Sequence, residues 1–310
     1  MFQTRTSAAG LSIVSNSLLI ATKLGVGLLT GSVSIIAEAI HSSVDLIASF
    51  ITFFSLRMAD KPADKEHPFG HGKIENISGT AEATLIFVAA AFIIYEAVRK
   101  LISGVVLVSI DWGIAVMALS LLVNFLVSRR LFKTAKKLDS IALEADALNF
   151  STDILTSFGV MAGLAVVRIT GLNILDPIIA IIVALLIVKA AYDVLRRSFG
   201  GLVDVKLPET EEKEIVSSIM EHYGQLVGFH ELRSRKAGSE RDIDLHIVMP
   251  KGMSVEEAHK LVDHIEQDIK SKLTNATVSI HVEPCETTCE QCQVLCSLAK
   301  SKGLYPDDAG

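Results

Sequence analysis

The stretch AEAIHSSVDLIASF (residues 37–50) places an imidazole and two carboxylates inside a segment that is otherwise apolar enough to lie in a membrane. His41 and Asp45 stand four residues apart, so both side chains project from one face of a helix. Ionisable side chains are costly inside a bilayer and by default mark a path for ions or protons. The stretch therefore suggests a cation-binding site within a membrane-spanning helix.

The composition of the whole chain is that of a membrane protein. Its 310 residues are 50% hydrophobic, and the mean hydropathy of +0.45 is higher than in ordinary soluble domains. Only 6% of the residues are aromatic, and small residues fill the apolar stretches, which suits helices that pack closely in lipid. The chain does not open with a charged region, a short apolar core and a cleavage site, so we expect no removable signal peptide.

Six apolar stretches reach the length of about 20 residues that a helix needs to cross a bilayer. They cover residues 9–29, 32–57, 77–101, 110–131, 147–169 and 175–197. We therefore predict an all-α, six-helix transmembrane domain over residues 1–204. The connections after the even-numbered stretches carry most of the lysines and arginines, for example Arg129 and Arg130. By the positive-inside rule, this bias predicts that both termini are cytoplasmic.

The sequence changes to a soluble character at about residue 205. An amphipathic helix is followed by GFHELRSRKAG and RDIDLHIVMP, which alternate apolar and polar residues as half-buried strands do, with a turn at Gly238. Ser254 and Glu257 form a capping box at the start of a second helix. A third strand closes an α-β-β-α-β unit, so we predict a cytoplasmic α+β domain over residues 205–284.

The fifth apolar stretch repeats the pattern of the second. Asn149 and Asp153 are again four residues apart, in DALNFSTDIL. Two facing helices would then supply one imidazole nitrogen and three oxygen-bearing side chains, a shell suited to zinc or a similar divalent ion. For one pair alone, a polar clamp between helices without an ion is an equal alternative. Two matching pairs favour the ion site.

The connection ADKEHPFGHGK, between the second and third stretches, carries a second candidate site. Asp64, His67 and His71 fall within eight residues, and Pro68 and Gly70 bend the chain between them. A single loop histidine is usually only solvated. Two histidines and an aspartate at a membrane surface favour a metal site instead.

Histidines also occupy each of the three predicted strands, at His230, His246 and His281. Glu283 lies two residues beyond His281 and therefore on the same face of its strand. Each histidine alone is typical of a protein surface. The three would converge into a metal site if the strands pair.

In combination, these motifs resemble the cation diffusion facilitator family of divalent metal transporters. The likeness covers about residues 7–284. It implies a homodimer that exchanges a metal ion for protons by alternating access. It also implies a metallochaperone-like cytoplasmic domain that binds further metal and holds the dimer together.

The resemblance assigns three metal sites to this sequence, and Lys73 and Asp204 to a charge interlock at the dimer interface. The intramembrane ligands would be His41, Asp45, Asn149 and Asp153, the loop ligands Asp64, His67 and His71, and the cytoplasmic binuclear ligands His230, His246, His281 and Glu283, with His259 as an additional ligand.

Asn149 departs from the family pattern, which usually has His or Asp at this position. An amide oxygen is a neutral, weaker ligand with no proton to give, which leaves His41 as the natural proton-coupling group. We expect a divalent metal ion as substrate and as regulatory ligand. Zinc is the first expectation, and the oxygen-rich shell also favours iron, manganese or cobalt.

Glu38 is an auxiliary ligand, a partner of Lys23 or a satisfied polar residue, and the last two interpretations are favoured.

The segment 285–310 forms a cysteine-bearing tail. It contains all four cysteines of the chain, Cys285, Cys289, Cys292 and Cys296. A straight helix would spread the thiols over about 16 Å, too far to share one ion. A flexible thiolate tail that captures metal is the preferred hypothesis. Disulfides across a dimer, an iron–sulfur role and a disordered tail with incidental cysteines are the alternatives.

Together with these residues, the family resemblance implies proton-coupled efflux of a divalent transition metal by a protein embedded in the lipid of a bacterial inner membrane. The sequence has no nucleophile–base arrangement, phosphate loop or cofactor motif, so we expect no enzymatic activity. It has no basic, aromatic-interleaved surface either, so we expect no nucleic-acid partner. A membrane-anchored metal sensor or metallochaperone is the rival hypothesis. It would not need matched ligand pairs in two separate spans.

Overall fold

The computed structural model describes residues 4–30, 33–103, 111–170 and 174–285. The chain divides into a helical unit that ends at Leu202 and a C-terminal unit that begins at Val203. The described part of the helical unit forms six long helices: α1 (Arg5–Thr30), α2 (Val33–Ala59), α3 (Lys73–Ser103), α4 (Asp111–Leu138), α5 (Ile141–Thr170) and α6 (Leu175–Leu202). Several extend past the predicted apolar stretches, because backbone hydrogen bonding continues into polar turns that hydropathy does not detect.

Four of these helices contain, within the described residues, an apolar segment long enough to cross a membrane. The segments are Arg5–Val26, Ser42–Ala59, Lys73–Arg99 and Pro177–Leu202. The helical N-terminal region is therefore confirmed. The count of six spans stays a prediction.

Small side chains lie between the helices and large apolar side chains face outward. The buried positions include Ala8, Ala83, Ala145 and Ala191, whereas Leu28 is largely exposed. In lipid, close packing of small residues holds helices together while large apolar residues meet the acyl chains. The apolar exterior is thus the surface that a membrane protein requires.

Helices α3 and α6 approach each other closely at Gly201. A Cβ atom added at Gly201 would lie 2.2 Å from Nδ2 of Asn76. That amide nitrogen donates a hydrogen bond to the carbonyl oxygen of Ser198, at 3.1 Å. Only glycine leaves room for this buried contact.

The C-terminal unit folds as α7 (Glu209–Met220), β1 (Gly228–Ala237), β2 (Glu240–Met249), α8 (Val255–Lys272) and β3 (Ala276–Pro284). This is the α-β-β-α-β order that the sequence predicts. The capping box of Ser254 and Glu257 is present at the start of α8. Gly238, with a φ of 62°, lies in the turn between β1 and β2.

The sheet of the C-terminal unit has the order β1-β2-β3, with β1 antiparallel and β3 parallel to the central β2. Ile243, Leu245 and Ile247 of β2 are buried in the apolar core with residues of α7 and α8. Successive strand residues point to opposite faces, so His246 lies on the face away from that core. This second face is the polar one and carries the histidines.

Candidate metal centres

The loop between α2 and α3 brings Asp64, His67 and His71 together. His67 Nδ1 lies 3.3 Å from Asp64 Oδ1, and His71 Nε2 lies 3.5 Å from Asp64 Oδ2. The two imidazole centroids are 4.5 Å apart. Gly70, with a φ of 81°, makes the turn that returns His71 towards Asp64. The three residues can each offer one ligand atom to the same ion.

Asp64 is held in place by the backbone of its own loop. Its Oδ1 accepts hydrogen bonds from the backbone N–H groups of Glu66, at 2.9 Å, and His67, at 2.7 Å. The His67 N–H bond is the main cause that lowers the pKa of Asp64 below its usual value, against a smaller opposing effect of burial. The carboxylate is thus ionised and oriented at neutral pH. Nδ1 of the buried His71 has no hydrogen-bond partner among the described residues.

The strand histidines meet in one row across the polar face of the sheet. His246 on β2 is the register partner of both His230 on β1 and His281 on β3. Ring centroids are 5.2 Å apart for His230 and His246, and 4.8 Å apart for His246 and His281. The predicted strand pairing therefore brings the three imidazoles together.

Glu283 links this row through hydrogen bonds. Its Oε2 lies 3.0 Å from His230 Nε2 and its Oε1 lies 2.9 Å from His246 Nδ1. The bond with His246 is the main cause that lowers the pKa of Glu283, with His230 adding to it and burial opposing it. His230, His246 and Glu283 could bind one ion through converging atoms. His281 Nε2 lies farther out, 3.7 Å from Glu283 Oε1.

A second carboxylate at this cluster, Glu231, was not predicted from the sequence. The register shifts between His230 and Arg233, and Glu231 has a φ of 50° at this bulge. Its Oε2 lies 3.9 Å from His246 Nε2 and accepts a hydrogen bond from Arg233 at 2.9 Å. Regular strand alternation would have directed residue 231 to the other face, so only the bulge reveals this neighbour.

In the helical unit, α2 and α5 face each other at the predicted intramembrane site. Asn149 Nδ2 donates a hydrogen bond to Asp45 Oδ1 at 3.2 Å. Asp45 is only 7% exposed. His41 belongs to α2, but its side chain and that of Glu38 lie outside the described residues. The structure thus brings together one member of each predicted pair.

Asp153 contacts a third helix. Asn124 Nδ2 of α4 donates a hydrogen bond to Asp153 Oδ2 at 3.2 Å. Asn124 is 5% exposed. The sequence offered no reason to select Asn124, because it has no spaced partner on α4. Its contact with Asp153 on α5 is visible only in the structure.

Two further buried carboxylates lie among the helices. Asp146 accepts hydrogen bonds from the hydroxyl groups of Ser12 and Ser49. Glu82 accepts one from Thr52, and its other carboxyl oxygen has no hydrogen-bond partner within the described ranges. Asp146 and Glu82 are both fully buried. Buried carboxylates are costly unless they are hydrogen-bonded or paired, so these two make the interior of the helical unit polar.

The remaining predicted residues lie apart from these clusters. His259 is on the exposed side of α8, 3.6 Å from Asp263, and the described chain does not bring it to the strand histidines. Asp204 pairs with Arg235 at 3.5 Å. Cys285 is half-buried directly after β3, where its N–H bonds the carbonyl oxygen of Met249. Cys289, Cys292 and Cys296 lie outside the described residues, so the hypotheses for the thiol tail stay untested.

Fold and site define a polytopic membrane protein with histidine and carboxylate clusters suited to divalent metals. Comparison with known proteins identifies its family. Residues 10–203 match the model of the cation efflux transmembrane domain, and residues 207–285 match that of the cation efflux protein cytoplasmic domain. The chain belongs to the cation efflux, or cation diffusion facilitator, family, whose members are integral membrane transporters.

Two similar transport proteins span most of the chain, and a similar solved structure covers a smaller part of it. A transporter of Synechocystis sp. described as uncharacterized is 38% identical over 264 residues, covering 85% of each chain. The cation-efflux pump FieF of Yersinia pestis is 32% identical over 279 residues, covering 90% of this chain and 92% of FieF. A solved structure of the candidate zinc transporter CzrB is 32% identical with a TM-score of 0.25, and covers 26% of this chain and 99% of that one.

Proposed function

We propose that this protein exports a divalent transition-metal cation from the cytoplasm in exchange for protons, as a homodimer that works by alternating access. The observation that carries the proposal is the hydrogen bond from Asn149 to the buried carboxylate of Asp45 on the facing helix. A buried carboxylate costs free energy unless it is paired or binds a cation. Family membership supports cation transport as the reason for its presence.

The cation would bind between the second and fifth of six spans. Asp45 and Asp153 provide charge, Asn149 provides a neutral oxygen, and His41 lies four residues before Asp45 on α2. Carboxylates and an imidazole must be deprotonated to bind metal, so metal binding releases protons. Protons arriving from the far side would then displace the metal. This competition couples the two fluxes provided that the site changes sides only when it carries metal or protons.

The C-terminal unit would lie in the cytoplasm, with both termini, and would bind regulatory metal. His230, His246 and Glu283 are already within ligand distance of one another on a rigid sheet, so they need little rearrangement to bind an ion. The match of this unit to the family's cytoplasmic domain supports the placement and the dimer. Metal there would favour one transport-competent arrangement of the dimer by binding it more tightly. The loop site of Asp64, His67 and His71 would sample metal at the membrane surface.

Flux measured in proteoliposomes with a trapped pH dye tests the proposal. Zinc, iron(II), manganese and cobalt are supplied in turn to the full-length protein and to Asp153→Ala. We expect at least one ion to drive proton movement in the wild type and none to do so in the variant. Tight metal binding with no flux for any ion would refute transport and favour a sensor.

A further inference from the structure

Asn124, a buried residue of α4, shares a part-buried hydrogen bond with Asp153, one of the residues proposed to bind the transported cation. Its Nδ2 lies 3.2 Å from Asp153 Oδ2. A carboxylate can only accept, so the atom of Asn124 that faces it must be the amide nitrogen. The orientation of the amide is therefore set by chemistry, and its carbonyl oxygen is directed elsewhere.

That carbonyl oxygen has no protein partner. Oδ1 of Asn124 is buried and accepts no hydrogen bond from the described residues. Buried polar atoms in native proteins are nearly always satisfied, and exceptions in a functional region call for a ligand, an ion or a water molecule. A simple clamp between α4 and α5 would explain the bond to Asp153. It would not explain an amide whose second polar atom is left unsatisfied.

The neighbouring polar residues of α4 show how this position differs from a purely structural one. Ser128, one turn after Asn124, is fully engaged: its hydroxyl donates to the carbonyl oxygen of Ala147 and pairs with Ser151 at 2.6 Å. Ser120, one turn before Asn124, is buried with an unpartnered hydroxyl. Among the described residues, the two unpartnered atoms of this part of α4 are therefore Oδ1 of Asn124, which is level with Asp153, and Oγ of Ser120, one turn towards the N-terminus.

We propose that Asn124 is a further residue of the cation-binding site, which holds Asp153 through its amide nitrogen and supplies its carbonyl oxygen to the cation. The inference rests on the proposed function and assigns a selectivity to it. With Asn124, the donor set has two carboxylates and two amide oxygens beside one imidazole. Zinc sites usually have four ligands with nitrogen or sulfur, whereas manganese favours six ligands that are mainly oxygen. The site therefore favours a six-coordinate ion such as Mn²⁺ over Zn²⁺.

Two substitutions distinguish the effect of the side-chain oxygen of Asn124 from the effect of its hydrogen bond to Asp153. Asn124→Ala and Asn124→Asp both remove the amide donor to Asp153, but only the aspartate keeps an oxygen at this position. Initial uptake rates for Mn²⁺ and Zn²⁺ are measured in proteoliposomes over a range of metal concentrations. We expect Asn124→Ala to raise the KM for Mn²⁺ by about tenfold, the lower end of the loss seen when a supporting group of a metal site is removed. The KM for Zn²⁺ should change far less, and Asn124→Asp should retain most of the preference for Mn²⁺.

Ser128→Ala is the matched control, because it removes a buried polar contact of α4 with α5 without touching Asp153. It should leave the ratio of the two KM values unchanged. Equal losses for both metals in the two Asn124 variants would overturn the inference and leave a structural clamp. A wild type that moves Zn²⁺ but not Mn²⁺ would overturn it as well. If the wild type moves no divalent ion, the proposed function itself is wrong. If the Asn124 variants transport metal with an unchanged ratio of the KM values for Mn²⁺ and Zn²⁺, only the role of Asn124 is wrong.

Discussion

The strand cluster of the C-terminal unit and the pairs of the helical unit use the same residue types under opposite conditions. His230, His246 and Glu283 are accessible to water, and their ligand atoms converge on a rigid sheet. Asp45 is instead buried among helices, and the structure places an amide nitrogen against each of the two carboxylates, Asp45 and Asp153. Water stabilises the charges of the strand cluster. In the helical unit, the fixed dipoles of the two asparagine amides stabilise the carboxylates instead.

Under the proposed function, the two sites would differ in role. An exposed cluster gains and loses a metal ion without reorganising the protein around it, which suits a site that responds to metal concentration. A buried site exchanges its ion only when the helices rearrange, which suits transport. The substitutions below are arranged to break or sharpen this division, beginning with the largest expected effect.

Removal of a buried carboxylate should stop transport, whereas removal of the strand histidines should not. Asp45→Ala deletes a charged ligand of the proposed cation site, so we expect metal flux in proteoliposomes to fall by about 100-fold. The double variant His230→Ala, His246→Ala should retain flux within a few fold. Ser43→Ala is the control on α2, since within the described part of the chain its hydroxyl bonds only the carbonyl oxygen of Ala39. Flux that survives Asp45→Ala would place the transport site elsewhere.

The reverse experiment concerns metal binding to the C-terminal unit. Glu283→Gln removes the carboxylate that contacts both His230 and His246. In a full-length protein whose intramembrane site is disabled by Asp45→Ala, we expect zinc affinity to fall by about 10- to 100-fold in titration calorimetry. Glu256→Gln, an exposed residue of α8 that pairs with Lys260, should have no effect. Equal affinities in the two variants would exclude Glu283 as a ligand.

Much of the site could be predicted from the sequence because its residues follow local rules. The spacing of His41 and Asp45 predicts a shared helix face, and the spacing of His281 and Glu283 predicts a shared strand face. The strand order then placed His246 between the other two histidines. These predictions needed only the periods of helix and strand.

The residues that the sequence did not indicate depend on contacts between elements distant in the chain. Asn124 meets Asp153 across two helices, and Asp146 meets Ser12 across 134 positions. Glu231 reaches His246 only because a bulge alters the alternation of β1. Such contacts arise from packing, which no spacing rule encodes.

A packing change should affect the two sites unequally. Gly201→Ala places a methyl group against the buried Asn76, and overpacking of this kind typically costs about 1–3 kcal/mol. We expect a lower thermal midpoint of the helical unit and slower flux, with metal binding to the C-terminal unit unchanged. Gly25→Ala is the matched control, because among the described residues no atom beyond its immediate chain neighbours and the backbone of its own helix lies within 4 Å of the added Cβ. Equal effects of the two substitutions would show that the α3–α6 contact does not support the transport site.

The smallest expected effect is the contribution of Glu283 to stability in the absence of metal. Its pKa is lowered in the folded chain, chiefly by the hydrogen bond with His246. A depressed carboxyl pKa stabilises the folded state at pH values above the ordinary pKa of about 4.3, and this contribution is lost as the pH falls through the lower folded pKa. Thermal melts of the chelator-treated protein should therefore show Glu283→Gln slightly less stable than the wild type at pH 6–7, and equally stable near pH 3.

A double-mutant cycle with His246→Ala assigns this effect to its cause. If the His246 bond lowers the pKa, Glu283→Gln should cost less stability in the His246→Ala background than in the wild type. The remaining cost reports the weaker contribution of His230, whose Nε2 lies 3.0 Å from the other carboxyl oxygen. A pH-independent cost in both backgrounds would mean that Glu283 acts through packing, and that its ionised carboxylate is not held ready for a metal ion by the two histidines.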